Sequence, residues 1–262
     1  MRDFVYILRY VYIYLIVGEH CYLIDSGVAG AELEVEKYLH DLGKSITDIQ
    51  GIFLTHAHPD HIGGAAKIKE KSGCKVYASR GEADWIEDID KQFTKRPIPN
   101  FYSLVNESVK LDGILQDGDV LEPEPGITLQ VVGTPGHSCD QLSYLLKEKH
   151  CVFVGDSIPV KGDIPIWINE RESTESLRKL ASMKDVDTIY PAWDKTYEKE
   201  QITYKINEAL KLIRTLKENV NKSKMQATEI ETIAELVCEK MGTPEFLKNP
   251  LFCKTIESMM LE

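Results

Sequence analysis

Residues 55–61 read Thr-His-Ala-His-Pro-Asp-His, so His56, His58, Asp60 and His61 put three imidazoles and a carboxylate into six residues. Histidine and aspartate are the ligand types for zinc and other borderline divalent ions. In extended backbone His56 and His58, two apart, point the same way and can grip one ion. Asp60 and His61 follow at a helix start and point toward a second position beside it, with Pro59 stiffening the turn between the pairs. Alone, the segment also reads as a solvated histidine-rich loop, so its chemistry depends on what joins it.

Two later turns offer the same chemistry. Gly133-Thr134-Pro135-Gly136-His137-Ser138 sets His137 in a Gly/Pro turn directly after a predicted strand, and Val154-Gly155-Asp156-Ser157 sets Asp156 at the end of another. A single His or Asp in such a place serves as a turn former or cap; three strand-end loops with ligand chemistry form a constellation. The order His-x-His-x-Asp-His, then Pro-Gly-His-Ser, then Gly-Asp-Ser resembles the metallo-β-lactamase superfamily. Residues 22–27, Tyr-Leu-Ile-Asp-Ser-Gly, resemble that family's first motif, in which the aspartate, here Asp25, is chiefly structural. The resemblance runs over about residues 10–195. It implies an α/β (α+β) fold, a four-layer αββα sandwich with metals at one edge between two sheets. It also implies a first metal held by His56, His58 and His137, a second held by Asp60 and His61, and Asp156 bridging both.

The family closes its ligand set with a histidine in a Pro-Gly-His turn after a late strand. Here the corresponding turn is Tyr190-Pro191-Ala192-Trp193-Asp194, and none of the seven histidines lies after His150. Either Asp194 supplies the missing ligand, giving a carboxylate-rich second site suited to a harder ion such as iron or manganese, or Trp193 caps the site and leaves the second metal weak or absent. The expected cofactor is one or two divalent ions per chain, zinc first, with iron or manganese as alternatives.

With both ions bound, the implied chemistry is metal-assisted hydrolysis. A bridging water loses a proton near neutral pH and attacks a carbonyl or phosphoryl centre, and Asp60 shuttles a proton to the leaving group. The sequence lacks G-x-S-x-G, a P-loop and G-x-G-x-x-G, which removes the main rival enzyme classes. Glyoxalase-II-like thioesterases, lactonases, β-lactamases and phosphodiesterases share the implied ligand set, so fold and metals do not choose among them. A small ester, thioester or lactone is the leading expectation. The alternatives are a persulfide-dioxygenase-like non-haem iron oxidoreductase and a metal-binding protein without catalysis. Substrate contacts are expected at Trp193, at Trp85 and Tyr102 in an irregular excursion, and at Lys161 and Trp167 just after Asp156.

Strands must hold these loops. β-Branched and aromatic residues dominate 4–16 and 20–25, with Val17-Gly18-Glu19 as the turn, and 52–54 is a short apolar run typical of a buried strand. Further strands are expected at 75–78, 120–121, 127–132, 142–146, 151–154 and 188–190, and helices at 31–42, 62–71, 83–89 and 173–183. Pro97 and Pro99 forbid regular structure inside 80–110, which reads as a lid-like surface excursion. Beyond about residue 195 helical spacing takes over at 198–220 and 228–240, and Thr243-Pro244 opens a last helix. The expected organisation is therefore a catalytic domain over 1–195 and a helical region over 196–262, the latter offering a partner or homodimer surface.

The 262 residues are 43% hydrophobic and 28% charged, which excludes a disordered or fibrous chain. The net charge of −11 argues against nucleic acid or an anionic membrane as partner and leaves a small-molecule substrate. Six cysteines without a C-x-x-C pair read as reduced thiols. The apolar N-terminal stretch carries Asp3 and Arg9, is too short for a span and shows no cleavage site, so it reads as strand and the protein as cytoplasmic.

Overall fold

The computed structural model describes residues 4–8, 11–160 and 162–260; Lys161, expected at the substrate, lies outside the described residues. Two six-stranded sheets form the centre, each with its strands side by side in chain order. The first holds β1 (Phe4–Leu8), β2 (Tyr12–Val17), β3 (Cys21–Ile24), β4 (Ile49–Phe53), β5 (Lys75–Ser79) and β6 (Gly113–Leu115). Its first three strands are antiparallel, and β3 to β6 are parallel. The second holds β7 (Val120–Glu124), β8 (Ile127–Gly133), β9 (Leu142–Leu146), β10 (Cys151–Gly155), β11 (Thr188–Pro191) and β12 (Tyr197–Glu198). Only its β10–β11 pair is parallel.

Period-two alternation divides the strand residues between layers. Tyr14, Ile16, Tyr22 and Ile24 face Leu129, Val131, Tyr144 and Phe153 between the sheets. Ile13, Leu15 and Leu23 face outward, onto the helices α1 (Ala31–Asp41), α2 (Pro59–Ile62), α3 (Ala65–Ser72), α4 (Arg80–Ile86), α5 (Ile89–Lys95) and α6 (Phe101–Leu104). Val132, Leu145, Val152 and Val154 face the other way, onto α7 (Glu170–Ser182), α8 (Glu200–Lys224), α9 (Ile230–Met241) and α10 (Pro250–Ser258). The result is the expected αββα sandwich.

The structure refines the expected elements. The apolar run 4–16 is a hairpin, not one strand. The expected helix 62–71 starts earlier, at Pro59, and comes in two pieces. Strand β7 continues through Pro123, which an edge strand tolerates because its missing N–H is not owed to a neighbour. The helices beyond residue 195 share one hydrophobic core with the second sheet, whose last strand, β12, itself lies beyond that point. No helix among the described residues is long and apolar enough to cross a membrane, and the six cysteines are free.

Candidate metal centre

Asp25, the 54–61 loop, His137, Asp156 and Trp193 all follow the carboxyl ends of strands: β3, β4, β8, β10 and β11. Such ends are where α/β folds place their sites. The 54–58 loop is held between the sheets, with Tyr144 Oη donating to Leu54 O at 2.7 Å and Leu142 N to Thr55 O at 2.9 Å. Two glycines permit the close approach of neighbouring loops. Gly155, at φ +49°, lies where a Cβ would stand 2.7 Å from Thr55 Oγ1, and Gly136, at φ +125°, where one would stand 2.3 Å from Ser173 N.

Three imidazoles then meet. His58 Nδ1 lies 2.9 Å from His56 Nε2 and 2.8 Å from His137 Nε2. The opposite ring nitrogens show which lone pairs face inward. His137 Nδ1 donates to Ile166 O at 2.8 Å, because a carbonyl can only accept, so its Nε2 presents a lone pair. The Thr55 hydroxyl donates to Asp25, leaving its oxygen to accept from His56 Nδ1 at 2.9 Å, so His56 Nε2 presents another. Both lone pairs are aimed at His58 Nδ1, which as its N–H tautomer donates to them and, with the proton on Nε2 instead, adds a third lone pair for a cation. A tetrahedral ion with bonds of about 2.0–2.1 Å holds its ligand nitrogens about 3.3 Å apart, so the triad needs to open by only a few tenths of an ångström.

Beside it sits a second group. His61 Nδ1 donates to Asp25 Oδ2 at 2.8 Å, which turns His61 Nε2 toward Asp156 Oδ1 at 3.2 Å and Asp60 Oδ2 at 3.6 Å. Both His61 Nε2 and Asp156 Oδ1 are buried without a hydrogen-bond partner. Asp156 Oδ2 lies 3.4 Å from His137 Nε2, so this carboxylate turns one oxygen to each group. His56, His58 and His137 form one set with ligand atoms close enough for a single ion, and His56, His61 and Asp156 a second. Asp60 stands outside both sets, on the cavity wall. Buried orphan atoms and a donor set of imidazole and carboxylate fit divalent metal ions.

Electrostatics agrees. Burial pushes His56, His58 and His137 below the usual imidazole range, with neighbouring rings and Arg96 adding to it and, at His137, Asp156 and Ile166 O opposing it, which favours the neutral form that ligates. Burial also pulls His61 down, but Asp156, Asp25 and Asp60 outweigh it and raise it well above its usual value. The field that draws a proton to Nε2 draws any other cation there. Burial, reinforced by Asp156, raises Asp60 against the pull of His61. Burial acts the same way on Asp156, but His61 and His137 overcome it and hold that carboxyl low.

Several expected site residues lie elsewhere. Asp194 is not brought to the centre: its Oδ2 accepts from Tyr197 Oη at 2.5 Å and pairs with the buried Lys205 Nζ at 2.9 Å. Trp167, 2% exposed, belongs to the core under the helices, so it is not a substrate contact. Tyr102 is exposed and donates to Asp90, and Trp85 packs against the helix layer; neither lines the cavity. Trp193 does line it, and its Nε1 donates to Asp156 Oδ2 at 3.2 Å.

Other contributors had no motif to mark them. Buried Glu82 accepts from Ala57 N at 3.0 Å and Asp140 N at 3.1 Å, tying the His56–His58 loop to the His137 turn. Gln92 Nε2 donates to Ala57 O at 2.6 Å. Arg96, Asn249 and Leu251 line the 340 Å³ cavity over the centre together with His58, Asp60, His137 and Asp156.

A two-sheet sandwich that gathers imidazoles and carboxylates at one edge defines a metal-binding scaffold. The family described as "Metallo-beta-lactamase superfamily" matches residues 6–193. A hydroxyacylglutathione hydrolase of Hyphomonas neptunium is 26% identical over 236 residues, 88% of this chain and 82% of that protein. A "Beta-lactamase-like protein 2 homolog" of Caenorhabditis elegans is 29% identical, over 80% of this chain and 70% of that protein. In fold, a metallo-β-lactamase family protein of Thermus thermophilus superposes with a TM-score of 0.76 at 19% identity, covering 98% of this chain and 93% of that one. The chain belongs to the metallo-β-lactamase superfamily and is a metal-dependent hydrolase.

Proposed function

We propose that this protein hydrolyses a small acyl thioester, in the manner of glyoxalase II, with zinc as the metal. The observation that carries the reading is the convergence of His56 Nε2, His58 Nδ1 and His137 Nε2 beside a cavity of 340 Å³, with Asp156 reaching both ligand groups. Several relatives named hydroxyacylglutathione hydrolase support a thioester over an oxygen ester or lactone. Bound there by His56, His58, His137, His61 and Asp156, divalent ions supply Lewis acidity toward the carbonyl and a lowered pKa for water.

The chain supplies the rest. Ile98, Leu104, Ile158 and Leu251 give the cavity apolar walls that exclude water and seat the acyl group. Asp25 and Ile166 O hold His61 and His137 in one tautomer. Asp60, on the cavity wall with its Oδ2 3.6 Å from His61 Nε2, is the carboxyl placed to pass a proton to the departing thiolate.

The test is thiol release from a hydroxyacyl thioester of glutathione, beside matched oxygen esters and lactones, by zinc-reconstituted protein. The thioester should lead in kcat/KM by on the order of tenfold or more. No turnover of any of them at full metal loading contradicts the reading, and oxygen uptake with a thiol substrate would replace it with iron oxidoreductase chemistry.

A further inference from the structure

Between α5 and α6 the chain runs Arg96-Pro97-Ile98-Pro99-Asn100. Pro97 ends the helix and the two prolines favour extended backbone, so alternate side chains share a face. Arg96 and Ile98 are half-buried and line the cavity, while Pro97 and Pro99 are exposed. The excursion therefore inserts one cation and one apolar side chain over the metal centre.

Arg96 is the only lysine or arginine lining the cavity among the described residues, and its guanidinium makes no hydrogen bond or ion pair among them. Among the described residues no wall carboxylate forms an ion pair with it. Asp60 and Asp156 turn oxygens to His61 and His137, and Asp163 accepts from Ile164 N. Burial pushes the guanidinium below its usual range even though Asp60, Asp156 and Glu82 pull the other way. A cation partly withdrawn from water without a direct partner is costly, and a ligand that supplies the missing acceptor recovers that cost.

The planar fork of arginine matches an oxyanion with two parallel acceptors. Asp60, Asp156 and Asp163 on the same walls weigh against a second negative charge on the ligand, which favours a carboxylate over a phosphate dianion. We infer that Arg96 is a specificity residue that receives a carboxylate carried by the substrate away from its scissile carbonyl. This rests on the thioesterase reading above only for the bond that is cleaved; the recognition itself does not depend on it.

Two zinc-loaded measurements test it. The first compares acetyl thioesters of 3-mercaptopropionate and of its neutral amide in wild type, Arg96→Ala and Arg96→Lys. The wild type should favour the carboxylate, mainly through KM. Arg96→Ala should cut the ratio of the two kcat/KM values by about 10- to 100-fold, with Arg96→Lys between. The second titrates the non-hydrolysable thioether analogues of both into wild type and Arg96→Ala by calorimetry. The carboxylate thioether should bind more tightly than the amide in wild type and lose that advantage in Arg96→Ala. An equal loss for both analogues, or no carboxylate preference in wild type, overturns the assignment, as does tighter binding of a phosphate-bearing analogue. If the thioethers behave as expected while neither thioester is cleaved, the thioesterase reading fails and the carboxylate site stands.

Discussion

Trp193 Nε1 donates to Oδ2 of Asp156, the carboxylate whose other oxygen faces His61 Nε2. Where the superfamily resemblance places a histidine, this chain places a group that can only donate. The indole thus occupies the edge of the second position and steadies its carboxylate without adding a ligand. Trp193→His should restore a nitrogen lone pair there. In competition with a chelator, the second zinc equivalent should bind tighter by on the order of tenfold or more. An unchanged second affinity would show that this turn does not face the ion.

Asp25 tests the orientation of His61. Its Oδ2 accepts from His61 Nδ1 while Oδ1 accepts from Thr55 N at 2.7 Å. Asp25→Asn should weaken the second metal by roughly 10- to 100-fold. Thermal melting of the metal-free protein separates that from loss of fold. Undiminished affinity in a folded variant would remove Asp25 from the account.

Glu82 joins two ligand loops through two acceptor oxygens facing two N–H donors. Glu82→Gln forces an amide –NH₂ against one of them, leaving a buried donor unsatisfied. Urea denaturation should show a loss of about 1–3 kcal/mol, together with weaker binding of the first metal. Wild-type values for both would mean that the tie does not matter.

Asp194 makes a prediction in pH. Burial alone would raise its carboxyl, but Tyr197 and Lys205 hold it below the usual range. A depressed folded-state pKa stabilises the fold above the unfolded value of about 3.9, and this is lost as pH falls through the folded value. Asp194→Asn should therefore destabilise the protein by roughly 1–3 kcal/mol at pH 7. The gap from wild type should stay level down to about pH 5 and close below about pH 4. Metal content should not change; a lost equivalent would return Asp194 to the ligand set.

What the sequence made legible was local. His56, His58, Asp60 and His61 share one short segment, and His137 and Asp156 follow strands legible as an alternating run (127–132) and a continuous apolar run (151–154), so type and spacing marked them. The direction of Asp194 is decided by Lys205, on a helix eleven residues further along, which no turn motif encodes. Trp167 follows the Asp156 loop closely enough to suggest the cavity, yet the packing of α8 to α10 takes it into the core. Arg96 sat in plain view between prolines; only the folding of the excursion over His58 and Asp60 gives it a role. Strand β6, three residues long, exists because β5 offers an edge to pair with, and its own residues barely announce it.

The central claim is that imidazoles from separate loops share one ion, and metal content of wild type beside His137→Ala tests it most directly. His137 comes from the turn after β8, far in sequence from His56 and His58, yet its Nε2 lies 2.8 Å from His58 Nδ1. The account predicts that wild type retains at least one zinc equivalent through dialysis against a weak chelator and that folded His137→Ala loses it. Full retention by His137→Ala would contradict the shared site.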